Sequence, residues 1–117
     1  MGAVYANIQL RSNGRALKRR LLVDTGAAFT WIRESSLKKL GIKPTDWERF
    51  ETIEGKNVRR RLGQVQVETL GRKAFTVVVF AEESDSQVLG LHALEGLRLE
   101  VDPANRALRR CRAVKAL

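Results

Sequence analysis

One acidic residue stands apart by what flanks it. Leu21-Leu22-Val23 is apolar on both faces of an extended chain, and Asp24-Thr25-Gly26-Ala27 follows directly. The chain therefore enters the interior just before it places a carboxylate. Partial desolvation there disfavours the charged form, which suits proton-transfer chemistry. Thr25 supplies a hydroxyl able to hold a neighbouring backbone group. Gly26 permits a tight turn and close backbone approach. The triplet alone decides little, because a chain this long contains Asp-Thr-Gly by chance about 2–3% of the time at average residue usage.

Other chemistries find less support. His92 is the only histidine and Cys111 the only cysteine. With no spaced cluster of ligating residues, a metal site is not expected, and no cofactor is implied. A His92–Cys111 nucleophile pair is conceivable, but nothing frames Cys111 as a nucleophile. Cys111 reads as a packed or half-exposed thiol on the last strand. Trp31 and Trp47 read as core, although Trp31 sits two strand positions past Phe29 and within reach of a substrate subsite.

The elements that must position Asp24 are mostly strands. Val4, Ala6, Ile8 and Leu10 alternate with polar or half-polar neighbours at period two. Asn13-Gly14 then predicts a hairpin turn, and Ala16 to Val23 forms the return strand. Ala28 to Ile32 reads as a short buried strand. Glu34 to Leu40 reads as a short helix ended by Gly41 and Pro44. Trp47 to Ile53 is ambiguous, and Gly55 marks a turn. Further strands are expected over Val65 to Leu70, Phe75 to Phe80, Arg98 to Val101 and Ala107 to Val114. Val88-Leu89-Gly90 is short and apolar, and His92 to Leu97 predicts one more short helix. Many short strands with tight turns imply an all-β barrel or sandwich.

With 117 residues, 44% of them hydrophobic, a single domain over 1–117 is the expectation. Such a domain buries a modest core and gains from a partner. No apolar run is long enough to span a bilayer. The residues after Met1 lack a secretory pattern, and a lone cysteine suits a reducing, cytoplasmic setting. The net charge of +9 and pI near 10.6 invite a nucleic-acid reading. Against it, no aromatic residue interleaves in sequence with Lys18-Arg19-Arg20, Arg59-Arg60-Arg61 or Arg109-Arg110-Cys111-Arg112. Nucleic acid is therefore not the expected partner, and these charges read as solvated strand faces.

Taken together, Leu22-Val23-Asp24-Thr25-Gly26-Ala27 and the later Val88-Leu89-Gly90 resemble the two motifs of retroviral-type aspartic proteases. The stretch from Gly90 to Asp102 looks like the short helix and closing strand of the family's cellular bacterial and archaeal branch. The resemblance covers nearly the whole chain. It implies a small, closed, barrel-like acid protease fold with one or two short helices, forming one lobe of a two-fold dimer. It implies Asp24 as the catalytic carboxylate, with Thr25, Gly26 and Ala27 shaping the site and Gly90 supporting it. Substrate contacts would come from Ala28, Phe29, Trp31, Val88 and Leu89. A flap around Ile53, Glu54, Gly55 and Lys56 would cover an extended polypeptide. Several viral relatives carry acids at the positions of Ala28 and Phe29 and an arginine at that of Leu91. Their joint loss here is self-consistent, an apolar contact replacing an ion pair.

An aspartic peptidase needs two carboxylates sharing one proton. This chain has one Asp-Thr-Gly, and Glu54-Gly55, Asp85-Ser86 and Asp102-Pro103 lack the apolar lead and the Thr/Ser-Gly continuation. The second Asp24 must come from a second copy across a two-fold axis. The expected activity is peptide-bond hydrolysis at mildly acid to neutral pH. The rival readings are a catalytically silent peptide-binding dimer of the same fold and, less favoured, a basic nucleic-acid-binding β domain.

Overall fold

The computed structural model describes residues 2–114 and 116. The chain runs β1 (Tyr5–Ser12), β2 (Arg15–Val23), β3 (Thr30–Arg33), α1 (Glu34–Lys39), β4 (Asp46–Glu51), β5 (Asn57–Thr69), β6 (Arg72–Ala81), β7 (Val88–Leu89), α2 (Leu91–Leu97), β8 (Leu99–Asp102) and β9 (Ala107–Arg110). The period-two pattern of β1 is realised as Ala6, Ile8 and Leu10 buried, with Tyr5 and Asn7 exposed. Asn13 and Gly14 both adopt positive φ, at 54° and 72°, as a two-residue hairpin turn requires.

The strands close on themselves. Neighbours run β1-β2-β7-β3-β6-β5, and β1 pairs with β5 through Gln9↔Glu68 to Arg11↔Gln66. Closure leaves those six strands without a free edge pair. The pairs β2–β7 and β3–β6 are parallel and the rest of the ring is antiparallel. Ile8, Leu10, Leu21, Ile32, Val65, Val67, Val78 and Leu89 fill one core, with Leu37 and Leu40 at one side and Ala93, Leu94 and Leu97 of α2 at another. The expected all-β barrel with two short helices is the architecture observed.

β5 has two roles. Its C-terminal part, to Thr69, belongs to the ring, while Asn57 to Leu62 pairs with β4 from Glu51↔Asn57 to Asp46↔Leu62. The ambiguous segment after Trp47 is thus a strand, and β4–β5 is a hairpin standing off the ring. Its turn is closed by Thr52 N–H to the Lys56 carbonyl at 2.8 Å and Gly55 N–H to the Thr52 carbonyl at 2.9 Å, with Gly55 at φ 82°.

Several boundaries differ from the sequence expectation. The strand expected from Ala28 begins at Thr30, because the Ala27 and Ala28 carbonyls accept the Leu91 and His92 N–H groups at 2.8 and 3.1 Å. Those carbonyls satisfy the free donors at the start of α2 instead of a ladder. The last strand ends at Arg110, not Val114. Its partner β8 begins at Leu99 opposite Arg110, and Arg98 before it is a left-handed helix cap at φ 56°. Met1, Lys115 and Leu117 lie outside the described residues.

Candidate active site

Asp24 is set by the strand before it and the strand beside it. Val23 pairs with Leu89, and the Asp24 N–H continues that ladder to the Leu89 carbonyl at 3.0 Å. The chain then turns, Ala27 N–H reaching the Asp24 carbonyl at 3.2 Å, and Gly26 N–H donates to the carboxylate Oδ1 at 2.9 Å. The carboxylate is half-buried, with Thr25 and Gly26 exposed beside it. The Thr25 hydroxyl has no hydrogen-bond partner among the described residues.

Gly90 holds this turn from beneath. A Cβ there would lie 2.4 Å from the Phe29 carbonyl oxygen and 2.9 Å from that of Ala27. No side chain fits at such distances, so the second motif needs glycine for close backbone approach. Gly90 N–H donates to the buried Thr30 Oγ1 at 3.1 Å. Thr30 was not singled out in the sequence. Its signal was a polar residue inside an apolar strand.

Asp24 opens into a cleft of about 560 Å³ between the ring and the β4–β5 hairpin. Of the candidate site residues, Asp24, Gly26, Ala27, Ala28, Phe29, Trp31, Glu54 and Val88 line it. Thr25, Ile53, Gly55, Lys56, Leu89 and Gly90 do not line it in the single chain. Ile53 is fully exposed at the hairpin tip, and Leu89 and Gly90 are buried behind the floor. Val58, expected to flank the flap turn and cover substrate, lines it too, and Phe50, Glu51, Thr52, Ser84, Asp85 and Ser86, which were not anticipated, complete the lining. Phe50 meets Trp31 at 5.0 Å and Phe29 at 6.2 Å between ring centroids, both edge-on, and His92 packs edge-on against Phe29 at 5.4 Å. These aromatic contacts form an apolar wall beside the carboxylate.

Residues 8–93 match the model of a family described as aspartyl protease. The chain belongs to the aspartyl protease family. Among solved structures, this aspartyl protease chain is similar to the solution structure of Simian Foamy Virus (mac) protease, with a TM-score of 0.54 and 21% identity. The likeness covers 77% of this chain and 90% of that one, and it establishes the shared retroviral-type fold. No curated protein matches the chain.

The family match spans both Asp24 and Gly90. Elsewhere in this aspartyl protease, the cleft is bounded by a shielded ion pair. Arg60, on β5, grips Asp85 with Nε to Oδ2 at 2.7 Å and Nη2 to Oδ1 at 3.0 Å. The side chains retain 11% and 15% exposure. Asp85 Oδ2 also accepts the Glu82 N–H at 2.8 Å, and Arg33 reaches the Glu82 carbonyl. The Arg60 hydrogen bonds outweigh burial and hold the Asp85 carboxyl below its ordinary value, while Asp85 raises Arg60.

Arg60 is therefore not the solvated strand charge expected of it. The cross-strand neighbourhood also revises the reading of aromatic spacing, since the Arg59 and Arg61 guanidiniums lie 5.1 and 5.5 Å from the Trp47 ring centre. Trp47 is half exposed on that outer face, not core. Among the described residues, no group of three or more His, Cys, Asp or Glu is arranged for a metal ion, and no helix is long and apolar enough to cross a membrane. Burial pushes the Cys111 thiol up, with Glu100 adding to it, the reverse of an activated nucleophile.

Proposed function

We propose that two copies of this chain form an aspartic endopeptidase in which the two Asp24 carboxylates share one proton across a two-fold axis. The observation that carries the reading is the half-buried Asp24 carboxylate, oriented by Gly26 N–H at the floor of an aromatic-walled cleft. One ionised Asp24 takes a proton from a water, and that water attacks the scissile carbonyl. The other, protonated, hydrogen-bonds the carbonyl oxygen and later assists departure of the amine. The two acids titrate as a coupled pair. Thr25, exposed beside the turn, is free to bond the partner's backbone.

An extended polypeptide lies along the floor of Gly26 to Phe29, with the β4–β5 hairpin serving as the flap, and adds its backbone as a strand. Ile53, Gly55 and Lys56 at the hairpin tip reach substrate only when the flap closes. Leu89 and Gly90 act from behind, by holding the floor. The lone cysteine is in keeping with a reducing compartment. The test is digestion of an unfolded protein and of a peptide library by the chain and by Asp24→Asn. Cleavage should fall by on the order of 10³-fold or more in the variant. Equal cleavage by both proteins defeats the proposal.

A further inference from the structure

Asp85 is a carboxylate in the cleft wall, and its charge is already engaged. Arg60 approaches it from β5 with two parallel N–H···O bonds, and a third donor, the Glu82 N–H, occupies the same carboxylate. Arg60 itself does not line the cleft. Among the described residues that do, none is lysine or arginine, although the chain carries 22 of them. A planar guanidinium matched to both carboxylate oxygens leaves little acceptor capacity for a third party. The neighbouring wall then offers the neutral hydroxyls of Ser84 and Ser86.

We infer that Arg60 is a positioning residue that sets the charge preference of the Ser84–Ser86 wall by masking Asp85, so that this wall receives neutral substrate side chains while Glu51 and Glu54 stand elsewhere in the lining. The inference rests on the peptide-binding part of the proposed function. It places a determinant of specificity outside the substrate's reach, acting through one carboxylate. Arg60 has a second effect in the same geometry, because the pair ties the hairpin stem to the loop 82–86 and fixes where the wall stands.

The experiment measures peptide binding by tryptophan fluorescence, Trp31 being in the cleft, on the full chain carrying Asp24→Asn to prevent cleavage. The peptides are extended and differ at one position at a time, lysine against norleucine. The parent should bind both forms within about twofold at the position facing this wall. Adding Arg60→Gln should favour the lysine form by about tenfold at that one position. Adding Asp85→Asn to Arg60→Gln should restore the parental ratio, and Arg60→Lys should retain it.

An Arg60→Gln ratio unchanged at every position overturns the masking idea. So does a parental preference for lysine that Asp85→Asn removes. If Arg60→Gln fails to fold by near-ultraviolet circular dichroism, Asp85→Asn alone decides between the same two outcomes: an unchanged ratio supports masking. Absence of binding by every variant overturns masking and the cleft reading together. Binding without cleavage by the unmodified chain sinks the proteolytic reading and leaves masking standing.

Discussion

Gly90 shows how one missing side chain can govern a site it does not line. The Phe29 and Ala27 carbonyls close over its Cα, so Gly90→Ala must push the Asp24 turn away from β7. The expected loss is about 2–3 kcal/mol in urea unfolding, with Asp24 displaced and cleavage reduced beyond what stability explains. Phe50 is the opposite case, a side chain that acts by filling. Phe50→Ala removes edge contacts to Phe29 and Trp31, and about 1 kcal/mol of aromatic pairing goes with them. KM should rise several-fold while kcat holds, read from steady-state cleavage of an apolar peptide. The Asp24 turn was legible from the apolar strand before it, whereas Gly90 stood out only through the resemblance of Val88-Leu89-Gly90 to a family motif. Phe50 and Thr30 were not legible, because their importance comes from neighbours far along the chain.

At the scale of elements, strand alternation divides the Arg59-Arg60-Arg61 run. Arg60 faces inward to Asp85, and its two neighbours face outward to Trp47. A linear reading of the run as solvated charge missed this, since the partners come from β4 and from the loop after β6. The hairpin turns and the ring strands were legible from periodicity and Asn-Gly, whereas the start of β3 was not. That boundary is settled by the N–H groups of α2, which claim the Ala27 and Ala28 carbonyls.

The ion pair makes a prediction in acid. The folded Asp85 carboxyl lies below its ordinary value of 3.8, so the pair stabilises the native state above that pH and the contribution is lost as pH falls through the folded value. The charges acting on Asp85 are Arg60 from β5 and Arg33 from β3, while Glu82 and Glu34 act on Arg60. Asp85→Asn should cost about 2 kcal/mol at pH 7. The gap between variant and parent should narrow below pH 4 in urea titrations, and a gap constant from pH 7 to pH 3 contradicts the assignment.

For the molecule as a whole, the decisive quantity is the number of Asp-Thr-Gly turns, which is one. An enzyme built from two such chains loses specific activity on dilution, with the initial rate approaching the square of the protein concentration below the dimer dissociation constant. Rates strictly proportional to concentration across the range, with a monomeric mass by analytical ultracentrifugation, contradict the dimer. The closed ring was legible as a class from many short strands, but its closure through β1 and β5 was not. Pairing between residues some sixty positions apart leaves no local trace.

β5 carries a mechanical consequence. The strand passes from the ring into the hairpin as one run of 13 residues whose two ladders, to β4 and to β6, overlap at Leu62, paired there with Asp46 on one side and Val79 on the other. As a flap, such an arm would bend as a beam held at one end. Its deflection grows toward Ile53 and Gly55 and vanishes near the clamp, where Arg60 adds a brace. Under the flap reading proposed above, opening the cleft loads the same stem that the Asp85 loop leans upon, so tip movement and wall position are coupled.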